Sequence, residues 1–376
     1  MSLKRTAVLP LGLMLAAMGG CGSDNGTSSV LPSPTPSPGA VGASRNMALL
    51  SRMSLAQLSQ GGTTAASAAG NWGYTSPGGR RFALTGLSTG TSIVEVTNPS
   101  APRLVGFIEG PANQWREIKT YRTFVYVTSE ARGHGMDIID MGDPDRPRRV
   151  QTWNRTFTSA HTLWIDEQRG LLFVNGTQFG MRVLDLEPDP GDPREVGAFT
   201  SFYLHDSYTR GDVLYGSAIN DGFLTLLDVS EPAGIRELTR FETGGRFTHN
   251  AWLSRDGRYV FTTDERPGRP VEVWDIADPF RPRKSAEYIG AAGTIPHNVL
   301  VDGDRLLVAH YTEGVHLLDV RNPEQPAVLG FLDTFTGPSC SRFTFCGVWG
   351  AYIFPGSDII LASDMQGGLF VIRALQ

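Results

Sequence analysis

Cysteine is scarce in this chain, with only Cys21, Cys340 and Cys346 among 376 residues. Charge is balanced as well: 33 Lys and Arg against 38 Asp and Glu leave a net charge of −5, which offers no basic footprint for nucleic acid. Long apolar stripes with helical spacing, expected of an α/β enzyme, are missing. So are the motifs that announce common chemistries: there is no HExxH, no phosphate-binding P-loop and no GxGxxG in a βαβ setting. GLSTG at 86–90 has the letters of a nucleophile elbow, but that device needs a strand-to-helix turn, and here TSIVEV follows as a strand. The segment reads as a hairpin loop.

What the chain does have is glycine (44 residues), proline (24) and a hydrophobic fraction of 40%, enough for a sizeable core interrupted by many turns. This composition predicts an all-β fold. Residues 1–20 read as an export signal, with Lys4 and Arg5, an apolar stretch over 7–17 too short to span a bilayer, and Gly19 and Gly20 ahead of Cys21. MGGC at 18–21 resembles a bacterial lipobox, with Met18 where Leu is usual. It implies lipidation of Cys21 and an exported protein held at the cell envelope by its lipid; an ordinary signal peptide with an incidental cysteine is the alternative. Gly22 stands where an Asp would signal inner-membrane retention, which favours the outer membrane or cell surface. Residues 21–44, rich in Ser, Thr, Pro, Gly and Ala, read as a tether. With Cys21 lipidated, Cys340 and Cys346 remain, a close pair expected to form a loop-closing disulfide in an oxidising compartment.

One phrase recurs along the chain: VEVTNPSAPRLVGFI (94–108), IIDMGDPDRPRRVQTW (138–153), VLDLEPDPGDPREVGAF (183–199), LLDVSEPAGIRELTRF (226–241), VWDIADPFRPRKSAEY (273–288) and LLDVRNPEQPAVLGFL (317–332). Its acidic position falls at Glu95, Asp140, Asp185, Asp228, Asp275 and Asp319, in steps of 45, 45, 43, 47 and 44 residues. That is the period of a four-stranded propeller blade. Each phrase reads as a strand, a proline turn and a further strand, with a hairpin upstream; Asp256-Gly257 and Asp302-Gly303 supply the positive φ angles such hairpins need. A seventh, truncated copy at GLFVIR (368–373) lacks a last strand. A single seven-bladed β-propeller of four-stranded antiparallel blades is therefore expected over 45–376, closed by a strand from within 45–60; an exposed amphipathic segment is the alternative for those residues.

The LLDV or VWDI element followed by two prolines resembles the LVIVD-repeat propellers of bacterial surface proteins. The stretches WREIKTYRTFVYVTSEARGHGMDIID (115–140), THNAWLSRDGRYVFTTDE (248–265), HNVLVDGDRLLVAHYTEGVHLLD (297–319) and GVWGAYIFPGSDIILASDMQGGLFVIR (347–373) are similar to the choice-of-anchor B family. The resemblance covers 45–376 and implies a propeller on a membrane anchor; it carries no activity with it.

Aligning the repeats places His161, His205, His249 and His297 at one position, the start of the first strand in blades three to six. Trp72, Trp115 and Trp349 take that position in blades one, two and seven. First strands line a propeller's channel, and the loop between the second and third strands opens at the same mouth. That loop carries Glu130 and His134 in blade two, Asp264 and Glu265 in blade five, His310 in blade six and Asp364 in blade seven. Arg116 joins them beside Trp115, either as an ion pair with Glu117 or as a ligand contact. Imidazole with carboxylate is the ligand set of zinc, iron or manganese, so the four histidines are candidate ligands of a divalent transition metal. The competing reading has each His bonded to an Asp of its own blade as a brace, His249 with Asp264 for example. His316 reads as a packed strand residue, and the tryptophans as a stacking surface for a sugar or aromatic ligand or as a channel plug.

Two functions compete on this basis. The first is a binding or scaffold module whose mouth engages a protein, a glycan or a small molecule. The second is a metal-dependent oxidoreductase or hydrolase, with Glu265 or Asp364 as general acid or base. A third reading, a spacer with bracing histidines, does not explain why histidines occupy blades three to six alone.

Overall fold

The computed structural model describes residues 29–31, 43–60, 65–335, 337 and 345–375. Among these residues the strands form seven blades of four antiparallel strands each. The innermost strands of blades one to seven are Ala68–Thr75, Ile118–Tyr121, Leu163–Asp166, Asp206–Arg210, Thr248–Leu253, Asn298–Asp302 and Val348–Ile353. Each approaches its counterparts in the two neighbouring blades, so seven first strands surround one axis.

The acid of the repeated phrase ends the third strand of blades one to six. Glu95, Asp140, Asp185, Asp228 and Asp275 face Arg103, Arg148, Arg194, Arg236 and Arg283 across the ladder. Each forms an ion pair with that arginine, at 2.7, 2.7, 3.3, 2.7 and 3.2 Å. Asp140, Asp185, Asp228 and Asp275 also accept the backbone N–H two residues on, which starts the turn before its proline. In blade six Ala327 lies opposite Asp319, and Arg321 of the turn itself supplies the cation. The ladder between third and fourth strands then slips at the same place in every blade, for example between Ile138 and Ile139, Val183 and Leu184, and Leu317 and Leu318. Such a bulge increases local twist, which turns the outer strand of each wedge away from the axis. In the Asp256-Gly257 and Asp302-Gly303 hairpins the positive φ falls on the glycine, 75° at Gly257 and 62° at Gly303, and not on the aspartate.

Blade seven closes the ring. Met47–Met53 pairs antiparallel with Gly368–Ala374, so residues from both ends of the sequence share one sheet. Met47 and Met53 are buried in a core shared with blades six, seven and one. Burying each is worth about 1.5–3 kcal/mol, and the strand covers an edge that would otherwise stand open. A one-turn helix, Leu55–Leu58, follows, capped reciprocally by Ser54 and Gln57 and burying Leu58. Two shorter segments lie along outer strands: Ser29–Leu31 on blade five, within the stretch 21–44 that composition alone assigns to a tether, and Ser44–Arg45 on blade six, where that stretch meets the propeller. Cys21 and Cys340 lie outside the described residues, so neither lipidation nor the Cys340–Cys346 pairing enters this description; Cys346 itself is half-buried. Among the described residues no helix is long and apolar enough to cross a membrane.

Two predictions follow from these contacts. A chain beginning at residue 56, without the closing strand, is expected to lose the single cooperative unfolding transition that a chain beginning at residue 43 retains, as read by calorimetry. The second concerns Asp275, whose carboxyl is held at about 2 chiefly by its hydrogen bond from Arg258, with Ala277 N–H and Arg283 adding to it against the opposing effect of burial. Its folded pKa lies below the unfolded value of about 3.9, so its contribution is complete above pH ~5 and is lost as pH falls through 2. Asp275→Asn should therefore cost about 1 kcal/mol at pH 7 and about half that at pH 3, by urea unfolding at the two pH values.

Candidate functional site

The starts of the first strands converge at one end of the axis. There the rings of His161, His205, His249, His297, Trp349 and Trp115 follow one another with centroid separations of 4.2, 4.4, 4.3, 4.2 and 4.4 Å. His249 and Trp349 sit at bulges in their ladders, between Thr248 and Asn250 and between Val348 and Gly350, which turn their side chains out of the sheet pattern. The alignment of histidines in blades three to six holds. For blades one and two the pairing registers correct it. Gly70 and Arg116 occupy the equivalent positions, with Trp72 two residues further along its strand and Trp115 one residue earlier. The glycine has a steric reason: a Cβ at Gly70 would stand 2.5 Å from the Arg116 carbonyl oxygen, to which the Gly70 N–H donates at 2.9 Å.

His249 and His297 meet Glu265 from the blade-five loop. Their Nε2 atoms each lie 3.7 Å from a different Glu265 oxygen, and the three ligand atoms lie within 4.8 Å of one another. Both imidazoles are buried, and burial lowers both, His249 well below the usual range and His297 to about 3, so each is neutral with a lone pair at pH 7. His297 Nδ1 contacts the Trp349 carbonyl oxygen, which places the proton on Nδ1 and frees Nε2. Among the described residues neither His249 nitrogen has a hydrogen-bond partner, and neither has His297 Nε2. Desolvation raises Glu265 to about 7 against the hydrogen bond it accepts from the Tyr311 hydroxyl. Buried polar atoms are rarely left without partners, and two imidazoles facing a carboxylate across 3.7 Å are a group that could hold a metal ion. Two His and one carboxylate suit zinc, iron or manganese and leave coordination positions open.

The other candidates are placed as follows. His161 and His205 lie on the same arc but outside that three-residue group; their Nε2 atoms are 3.1 Å apart, and His161 Nδ1 lies 2.5 Å from Glu130. His134 turns to Asp137 instead, at 3.1 Å. The brace expected between His249 and Asp264 is absent: Asp264 accepts from Thr243 Oγ1 and from the N–H groups of Gly245 and Phe247. Asp364 is engaged in the same way by Thr334, Gln366 and Gly367. Both carboxylates are buried and hold loops, so neither is a mouth contact. His310 is also buried, in a cluster of its own. Its Nδ1 lies 3.2 Å from Glu313, and its ring stacks on His316, whose Nδ1 is 2.6 Å from the Tyr288 hydroxyl. Arg116 makes no ion pair with Glu117; it donates to the Leu87 and Pro111 carbonyl oxygens, and burial lowers it to about 10. Glu117 instead accepts from Trp349 Nε1 at 3.1 Å.

Tyr311 and Phe345 were not among the residues singled out from the sequence. Their rings stack at 5.1 Å, and with Trp115 and Trp349 they form an aromatic wall beside the group of His249, Glu265 and His297. Tyr311 also has a φ of 34°, unusual for a bulky residue, which brings its hydroxyl to Glu265. Trp72 belongs to the other end of the channel. It packs on Tyr352 beneath Lys119 and borders a cleft of about 300 Å³ together with Trp164 and Arg210.

Fold and geometry define a class: a seven-bladed propeller with a buried His₂-Glu group near its axis. No family model matches the chain, and no curated protein is significantly similar to it.

The raised carboxyl of Glu265 carries a stability consequence. As pH rises above about 4.5 the unfolded chain ionises this group before the folded chain does, so native stability falls until about pH 7. In metal-free protein Glu265→Gln should therefore raise stability by about 1–3 kcal/mol at pH 8 and leave it unchanged near pH 4.5, by chemical unfolding after chelation.

Proposed function

We propose that this protein is a lipid-anchored propeller of the bacterial cell surface, a binding module whose axial mouth holds a divalent transition metal on His249, Glu265 and His297. The observation that carries the metal reading is the set of unpartnered, buried imidazole nitrogens facing one carboxylate. The choice-of-anchor B resemblance, the lipobox-like MGGC and the Ser/Pro-rich stretch after it support the surface location. The metal, zinc, iron or manganese, would present its open positions toward a ligand resting on Trp115, Phe345 and Tyr311. Aromatic faces of this kind suit a glycan, a protein side chain or a small planar molecule.

A second reading, a metal-dependent oxidoreductase or hydrolase at the same seat, is favoured by one specific feature. Structural zinc sites are closed by four protein ligands, whereas three ligands with free positions are the pattern of catalytic centres. Here Glu265, hydrogen-bonded to Tyr311, would stand beside the ion.

The test is metal content per chain, by elemental mass spectrometry on protein purified from an oxidising compartment without chelator. About one ion or more in the wild type, reduced in a folded His249→Ala/His297→Ala double variant, is the expected result. Wild-type protein that stays empty after reloading with zinc, iron and manganese would remove both the metal and the enzyme.

A further inference from the structure

The four axial imidazoles fall into two pairs. His249 and His297 converge on Glu265, whereas His161 and His205 face each other, Nε2 to Nε2, at 3.1 Å. We propose that the axis seats two divalent transition ions, the second held between His161 and His205. This rests on the reading of His249, Glu265 and His297 as the first seat.

The separation carries the argument. Two nitrogens bound to one ion at about 2.0–2.1 Å stand about 2.9 Å apart at a right angle and about 3.3 Å apart at the tetrahedral angle. The observed 3.1 Å falls inside that bite. Both rings are buried, so neither nitrogen has bulk water as an alternative partner. The outer nitrogen of His161 is held at 2.5 Å by Glu130, the carboxylate–imidazole arrangement that fixes the proton on Nδ1 and turns the Nε2 lone pair inward. At the first seat the Trp349 carbonyl does the same for His297. In each pair one histidine thus has an outer group that sets its tautomer, and its Nε2 faces the rest of the seat, His205 for His161 and Glu265 for His297. The two seats adjoin, since the His205 and His249 rings are 4.4 Å apart. The Glu130 side chain remains about one-third exposed (36%), so the carboxylate that sets the His161 tautomer lies at the solvent side of the pair.

A shared proton is the competing occupant of the 3.1 Å gap, and a single ion drawn to all four imidazoles is another. Zinc titration by calorimetry separates them, with metal content after gel filtration as a second count. It would be run on the wild type, His161→Ala/His205→Ala, His249→Ala/His297→Ala and Glu130→Gln, each checked by circular dichroism and melting; His161→Asn/His205→Asn replaces the first double variant if that one unfolds. The inference expects about two ions in the wild type and one in the His161/His205 variant. Glu130→Gln should weaken one site by about tenfold and leave the other unchanged, as loss of an outer-shell partner does. One wild-type ion that survives loss of His161 and His205 but not of His249 and His297 overturns the second seat and leaves the first intact. One ion lost in both double variants replaces two seats with one four-histidine seat. No ion in the wild type overturns both readings together.

Discussion

Radial closure is the constraint on which the rest of this molecule depends. Seven first strands can surround an axis only if their backbones approach one another at its narrow end, and this forces side chains from separate blades into contact at about 4 Å. Gly70 shows how tight the approach is, since a single added carbon would meet the neighbouring blade's backbone. Closure also requires Met47–Met53 to complete the blade begun by Val348–Ile353. Without that strand there would be no fixed circle, and the histidines would have no reason to meet.

A site made in this way has a characteristic cost. Burial keeps His249 and His297 neutral and makes Glu265 reluctant to ionise, so at neutral pH and above the group detracts from the stability of the empty fold. Loop-holding in this fold is assigned elsewhere, to Asp264 and Asp364, which have full sets of N–H and hydroxyl donors. The contrast separates the two kinds of buried polar group. The aspartates satisfy their lone pairs within the chain, whereas among the described residues both His249 nitrogens and His297 Nε2 have no partner.

The architecture was legible because its cause is periodic. The acid at the end of each third strand, its arginine partner and the intervening proline recur at blade spacing, and the same local physics produces the same turn each time. His161, His205, His249 and His297 were legible for the same reason. What escaped was whatever depends on register or on which way a loop side chain turns. Trp72 was misaligned because the Ala68–Asn71 bulge inserts residues that no pattern announces, and Trp115 because the ladder of blade two puts Arg116, one residue on, at the shared position. His134 and His310 lie in loops that open at the mouth, yet each turns to an acid three residues further along the chain, Asp137 and Glu313. Tyr311 reaches Glu265 only through an unusual backbone angle, for which the letters around it give no sign.

The central claim is that the axial group of His249, Glu265 and His297 is a metal seat, and anomalous diffraction from crystals soaked in zinc, recorded above and below the absorption edge, tests it most directly. The account predicts a peak bonded to both Nε2 atoms and to Glu265 at about 2.0–2.2 Å. Strong anomalous density confined to surface carboxylates, with the axial nitrogens still facing an empty gap, would contradict it.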